Sequence, residues 1–258
     1  MLSAVSGGAI AVYALKGGVG KTTAAVNLAY AASSSGARVA LWDLDPQQAA
    51  TFLLRVKPRL KGGTRALLDG ETDPLAVVRE SAYPNLSVVP AEGLYRDMDL
   101  DLDAMKKSEK RVARIVDVLN DSYDVVILDC PPGLSLLSTN VVRAARLLVV
   151  PVVPSPLSLR TLDQVVDFAQ GVDGAAPAVL AFLSMVDRRR ALHRKVVELV
   201  GDRHRDMART TIPMSATAER MSQRRAPLSA WAARTPVAQA YEQLWAEVNE
   251  RMSGDGTS

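Results

Sequence analysis

Residues Ala9-Ile10-Ala11-Val12-Tyr13-Ala14-Leu15 form an unbroken apolar run that stops at Lys16-Gly17-Gly18-Val19-Gly20-Lys21-Thr22-Thr23. Behind this loop, residues 23–32 are rich in alanine and free of Gly and Pro, so a helix is expected to begin there. A buried strand passed to a helix through a glycine-rich turn is a building unit of a parallel α/β sheet. Loop N–H groups and the positive end of the helix then converge on one point, which makes the junction a cradle for phosphate. In the usual pattern, G-x-x-x-x-G-K-[ST], the lysine reaches the β- and γ-phosphates and the hydroxyl residue binds Mg²⁺. Lys21 and Thr22 occupy those positions, but Leu15 stands where the first glycine belongs, and Lys16 opens the loop instead. The motif is a deviant one. A plain glycine turn would need neither the two lysines nor the paired threonines.

Arg38-Val39-Ala40-Leu41-Trp42 reads as a second strand, ending in Asp43-Leu44-Asp45-Pro46-Gln47. Period-two alternation sends Asp43 and Asp45 to one side at the C-terminal end of that strand, where open α/β sheets bind ligands. Two carboxylates there suit magnesium-bound water and the orientation of an attacking water. Residues 123–129 are a further apolar strand that ends in Asp129, followed by Cys130-Pro131-Pro132-Gly133, the grammar of a Walker B strand. Alone, such a carboxylate could be a helix cap or turn residue; three elements in this order describe a nucleotide site.

On K-G-G-V-G-K-T-T, D-L-D-P-Q and I-L-D-C-P-P-G, the chain resembles the ParA/MinD family of deviant-Walker ATPases, and most of all its ParA-type partition branch. The likeness runs from about residue 9 to 250, with weaker agreement at 149–154, at Thr211-Ile212-Pro213 and in a terminal helix holding Ala240-Tyr241-Glu242-Gln243-Leu244. The resemblance implies a deviant P-loop fold of the SIMIBI type that uses ATP and Mg²⁺. It implies nucleotide contacts from Lys16, Gly17, Gly18, Val19, Gly20, Lys21, Thr22, Thr23 and Pro213. Lys16 would be the signature lysine that reaches phosphates across an ATP-sandwich homodimer, much as an arginine finger does. Lys21 would hold phosphates, and Asp45 would orient the attacking water. Thr22 would bind magnesium directly, with Asp43 and Asp129 acting through water. Hydrolysis would then depend on dimerisation. Many relatives place Asn after the sixth strand to read adenine, whereas here Ala178–Leu183 leads into Ser184-Met185-Val186-Asp187, which leaves the adenine contacts open.

With 258 residues, 48% hydrophobic and 23% charged, the chain can bury one large core, and a single domain over 1–258 with a flexible tail from about 252 is expected. A lone cysteine, Cys130, excludes an internal disulfide framework and a CxxC metal pair, and with them the iron–sulfur relatives of such a fold. Inside the Walker B turn it reads as a small buried residue. No N-K-x-D guanine motif occurs. No basic residue precedes Lys16 and the first apolar stretch is a strand, so no secretory leader is expected. No apolar run approaches the length of a bilayer span, and the polar tail lacks the basic amphipathic helix that anchors MinD-type relatives. A cytoplasmic protein with no membrane partner is expected.

Strands and helices alternate along the chain, which implies a mostly parallel sheet with helices on both faces. Helices are expected near 47–54, 74–80, 109–119, 158–170 and 236–251, and strands at 86–90, 147–150 and 178–183. A looser basic stretch covers 55–65. The run Asp97-Met98-Asp99-Leu100-Asp101-Leu102-Asp103 alternates like a strand, but is expected as an exposed loop and helix entry. It has no His or second carboxylate cluster at ligand spacing, so it reads as a solvated acidic segment rather than a metal site.

The formal net charge is only +3, yet residues 188–225 hold eleven Lys/Arg against four acids. Guanidinium forks match phosphate oxygens and release bound counterions, so such a run can grip a duplex backbone without reading its sequence. It can equally be a solvated helix face with internal pairs such as Arg194 with Glu198, at i and i+4. The resemblance adds that ParA-type ATPases bind nonspecific double-stranded DNA through basic residues of the C-terminal half when dimerised by ATP. That singles out Arg188, Arg189, Arg190, Arg220, Arg224 and Arg225. His193 and His204 are expected to be exposed helix residues. The implied protein is a nucleoid-associated, dimerising ATPase that positions a plasmid, a chromosome region or a protein compartment, with a ParB-like or other cargo adaptor stimulating hydrolysis. A MinD-like membrane-cycling regulator and a P-loop enzyme of the same fold, such as an amide-forming synthetase, are the alternatives.

Overall fold

In a computed structural model of the protein, which describes residues 9–58, 63–91, 98–105, 108–201 and 206–254, the apolar runs become the strands of a seven-stranded sheet. These are β1 (Ala9–Val12), β2 (Val39–Asp43), β3 (Arg79–Glu80), β4 (Leu86–Val89), β5 (Val125–Asp129), β6 (Ala145–Val152) and β7 (Ala178–Leu183). Their order is β3-β4-β2-β5-β1-β6-β7, parallel throughout except where β3 pairs with β4. Because β5 lies between β1 and β2, the register sets Val12 beside Asp129 and Asp129 beside Asp43. The glycine loop and two carboxylates therefore leave the sheet at adjacent strand ends, although 112 residues separate β1 from β5 in sequence.

Alternation along each strand divides the core in two. Ala9, Ala11, Trp42, Val126 and Leu128 face the helices Arg111–Asn120, Leu136–Ala144 and Pro156–Gly171. Ile10, Val12, Leu41, Val125 and Ile127 face α1 (Lys21–Ser34) and the C-terminal helix Pro236–Gly254. With both faces covered, polar residues have no exposed face to occupy, which is why these strands read as continuous apolar runs rather than alternating ones. Alanines at 24, 25, 29 and 32 are buried, and their small size lets α1 pack closely against the sheet and the C-terminal helix. The fully buried Leu28 contributes about 2 kcal/mol of transfer free energy to that contact.

Two local expectations are corrected. The helix expected over 74–80 is only Pro74–Val77, capped by the Asp73 carboxylate accepting from the Leu75 N–H. Val78 is extended and Arg79–Glu80 turns into the edge strand β3, while the Arg79 guanidinium donates to the Val78 carbonyl and to that of Ala76, which a longer helix would have bonded to the residue 80 N–H. The described residues of the acidic run, expected as an exposed loop and helix entry, form the helix Met98–Ala104, with no loop among them. Its Leu102 is buried, and Asp99 accepts from the Leu137 N–H at 2.9 Å, so a carboxylate that looks solvated in sequence caps a neighbouring helix. That neighbour, Leu136–Ala144, was not anticipated; Ser135 is its N-cap. Asp97, residues 59–62 of the basic stretch, Arg203, His204, Arg205 and tail residues 255–258 lie outside the described residues.

Candidate functional site

The loop after β1 has the backbone that its glycines permit. Gly18 and Gly20 have φ of 73° and 95°, a region that strains residues with a Cβ. A Cβ on Gly20 would also come within 3.1 Å of the Ser184 Oγ, whereas nothing lies within 4 Å of one built on Gly17 or Gly18. The rim of the loop is thus open and its base is closed by the turn after β7. Lys16, Gly17 and Gly18 are exposed, Val19 is buried, and Thr22 and Thr23 are half-buried at the start of α1. Lys21 is buried, and its Nζ donates to the Lys16 carbonyl at 3.1 Å. Burial pulls the Lys21 ammonium below its ordinary pKa, and the charges of Asp129 and Asp45 only partly offset this. An arriving anion would supply what this buried cation lacks.

The two carboxylates at the strand ends differ. Asp43 is fully engaged: one oxygen accepts from the Thr51 N–H and hydroxyl at 2.8 and 2.7 Å, and the other from the Asp45 N–H at 3.2 Å. The Thr51 hydroxyl in turn accepts from the Ala91 N–H. Desolvation still lifts Asp43 from 3.8 to about 6. Both oxygens of Asp129 are buried without a hydrogen-bond partner among the described residues. Burial first, and the Asp43 charge second, push Asp129 well above the usual carboxylate range, against the pull of the Lys21 charge and of the Thr22 hydroxyl, which lies near the carboxylate without reaching hydrogen-bond geometry. Asp45 lies just beyond β2 and accepts from the Gln47 N–H at 2.9 Å.

An orphaned, buried carboxylate beside Thr22 and Lys21 fits a hydrated Mg²⁺, whose waters would donate to it. Among the described residues no cluster of three or more metal-ligating side chains exists, and a cation bound chiefly by water and phosphate needs none. Pro213 is held by the turn after β7 through a bridge to Val186. It lines a cleft of about 790 Å³ of mixed polar and apolar character with Val186, Arg188, Thr211, Gln239 and Gln243.

The basic residues fall into two groups. Arg188, Arg189 and Arg190 are exposed before the helix Ala191–Gly201, but Arg189 is held by Asp187 at 2.9 and 3.0 Å and keeps that carboxyl at about 2. The pair of Arg194 with Glu198 that the solvated-face alternative named does not form among the described residues; the Arg194 guanidinium donates to the Arg188 and Arg189 carbonyls. His193 is likewise corrected: it is buried, and its Nδ1 accepts from the Asp187 N–H at 3.0 Å. The second group surrounds Trp231. Arg220 and Arg224 lie over its ring at 5.8 and 5.3 Å, and Arg225 lies over Phe52 at 4.3 Å.

Sequence reasoning missed Asn27, Thr51 and Arg55. Asn27 was the findable one, a lone amide in an otherwise alanine-rich helix; it is buried and accepts from the Leu228 N–H at 2.8 Å. Thr51 and Arg55 carry no motif, and only folding shows what they bind.

A family model described as an AAA domain matches residues 7–180. The sporulation initiation inhibitor protein Soj of Bacillus subtilis is 31% identical over 245 residues, covering 93% of this chain and 97% of that protein. The chromosome partitioning protein ParA of Caulobacter vibrioides is 31% identical over 196 residues, 73% of each chain. Among solved structures, cobyrinic acid a,c-diamide synthase from Mycobacterium smegmatis, with bound ATP analog and magnesium, superposes with a TM-score of 0.79 at 26% identity, covering 96% of this chain and 97% of that one.

Proposed function

The chain belongs to the ParA/MinD family of P-loop ATPases, and from that premise we propose that it is a Mg-ATP-dependent, dimerising ATPase that grips nonspecific DNA in its ATP state and positions a cargo. The observation that carries the chemical half is the orphaned Asp129 carboxylate beside a half-buried Thr22 and a buried Lys21. In this reading Lys21 and the N–H groups of 17–23 hold the phosphates, and Pro213 flanks the base. Thr22 and Asp129 hold magnesium, Asp129 through water, with Asp43 one strand further out. Bound magnesium supplies charge neutralisation at the phosphates. Asp45 orients the water that attacks, and the exposed Lys16 reaches the phosphates held by a second copy.

Positive charge on the 188–190 and 220–225 segments supports DNA binding, since two weakly binding copies joined by ATP gain effective concentration on one duplex. Adhesion would then be gated by ATP, keeping the protein on the nucleoid until a ParB-like or other adaptor stimulates hydrolysis. The cargo is a plasmid, a chromosome region or a protein compartment. No described helix is long and apolar enough to cross a membrane.

The likeness to the diamide synthase favours a second reading, ATP-dependent amide formation. Glutamine-fed amide transfer commonly uses a reactive thiolate, and the lone cysteine is buried, its thiol pushed well up by desolvation and by Asp129. One experiment separates the readings. Light scattering and phosphate release are followed with Mg-ATP for the wild type, Lys21→Ala and Asp45→Ala. Loss of nucleotide binding in Lys21→Ala, and an ATP-bound dimer with slow turnover in Asp45→Ala, are expected. An Asp45→Ala protein that stays monomeric while the wild type dimerises would sink the assigned roles, and phosphate release dependent on a carboxylate substrate would favour amide formation.

A further inference from the structure

We propose that Arg55 is a positioning residue that couples the loop carrying Asp45 to the basic surface of Arg220, Arg224 and Arg225. The proposal rests on the nucleotide and DNA readings above. Its basis is a reciprocal clasp between two segments some 170 residues apart in sequence. The Arg55 guanidinium donates to the Arg225 and Arg224 carbonyls at 3.1 and 2.8 Å. Arg225 answers by donating to the Phe52 carbonyl at 3.0 Å and lying over the Phe52 ring.

Both clasp residues, Arg55 and Arg225, have left-handed backbone, with φ of 58° and 47°. This conformation is uncommon without a glycine and persists only where surroundings impose it. Upstream, the short helix α2 (Ala49–Leu53) connects the clasp to the carboxylates. Thr51 binds Asp43, Gln48 N–H donates to the Asp45 carbonyl, and Phe52 N–H donates to the Gln48 carbonyl. A shift of Asp45 is thereby a shift of Phe52 and Arg55.

The far side of the basic segment is fixed to a different element. Met221 Sδ and Leu228 N–H both bind Asn27 on α1, whose Nδ2 donates to the Thr23 carbonyl. The segment is thus slung between the helix that begins at the phosphate loop and the loop that follows Asp45. Nucleotide contacts that move one relative to the other must change where Arg224 and Arg225 lie. Among the described residues none of these arginines, Arg55 included, is paired with a carboxylate, so their charge stays available to phosphate wherever the clasp sets them.

Trp231, between Arg220 and Arg224, provides a readout independent of DNA, because Trp42 and Trp245 are buried in the core. Its fluorescence is isolated by subtracting a Trp231→Phe protein. Wild-type protein should show a Trp231 response to a Mg²⁺-bound non-hydrolysable ATP analogue, and tighter binding to scrambled duplex with analogue than with ADP. In Arg55→Ala, Arg55→Lys and Phe52→Ala the Trp231 response should be lost, and the analogue-to-ADP ratio of duplex affinity should fall about fivefold or more, with analogue affinity by calorimetry within about twofold of wild type. Arg55→Lys and Phe52→Ala keep the charge, and a charge lost from the duplex contact would weaken binding in every nucleotide state alike, leaving the ratio unchanged. An intact Trp231 response and ratio in all three variants, or no Trp231 response in the wild type, overturns the coupling. Duplex binding absent in every nucleotide state, with a Trp231 response that still depends on Arg55, overturns the DNA reading and leaves the coupling in place.

Discussion

Asp129 is the residue at which stability and the proposed activity conflict. Its two buried oxygens, unpartnered among the described residues, are a liability to the free fold and would be an asset to a hydrated cation. Asp129→Asn should therefore stabilise the free protein by about 1–3 kcal/mol at neutral pH, while the stabilisation conferred by Mg-ATP shrinks. Thermal melts with and without Mg-ATP check both halves, and a variant that melts lower without nucleotide would refute the account. The pH dependence has a defined sign. Asp43 has a folded-state pKa raised from 3.8 to about 6, and Asp129 is raised further, so the folded protein holds more protons than the unfolded chain across that window. Stability of the free protein should fall as pH rises from 4 to 6, and the fall should be smaller in Asp129→Asn.

At the scale of elements, α1 is joined to the C-terminal segments by more than apolar packing. Asn27 satisfies the buried Leu228 N–H and returns a bond to its own helix, so one amide fixes the register between α1 and residues 221–228. Asn27→Leu, which keeps the branched skeleton but removes the amide, should cost about 1–3 kcal/mol or more because that N–H is left buried and unmet. Urea unfolding should show a lower midpoint at unchanged slope. A midpoint equal to wild type would make α1 an ordinary apolar cover.

Across the whole molecule, the eleven basic residues of 188–225 are not equivalent. Arg189 is committed to Asp187 and Arg209 to Glu247 and Glu250, whereas Arg220 and Arg224 flank Trp231 without an acidic partner among the described residues. Replacing Arg220 and Arg224 by Ala should flatten the salt dependence of duplex binding by roughly 0.9 log units per lost phosphate contact, equally for all sequences. Replacing Arg189 alone should change it less, since the guanidinium already has a counter-charge. The check is a titration of scrambled duplex at several salt concentrations. An equal loss per arginine replaced, at Arg189 as at Arg220 and Arg224, would show that the Asp187 pair opens on binding.

The backbone of the glycine loop was legible in the sequence because it is local: Gly20 takes the φ that favours glycine, and the alanine-rich helix starts directly behind it at Lys21. The parallel sheet was legible for the same kind of reason, since strands buried on both faces must read as apolar runs. What the sequence could not determine depends on partners distant along the chain. Asp43 and Asp129 end similar strands, and only the β2–β5 register and the placing of Thr51 make one carboxylate satisfied and the other bare. The acidic run 97–103 alternates like a strand and reads as a solvated segment, whereas in the fold its Asp99 is the acceptor for the Leu137 N–H. His193 and the arginines present the same difficulty. Whether a charge in a basic stretch is exposed, committed to Asp187 or clasped to Phe52 is decided by which backbone and ring come within hydrogen-bonding and stacking distance, and that distance is set by tertiary packing alone.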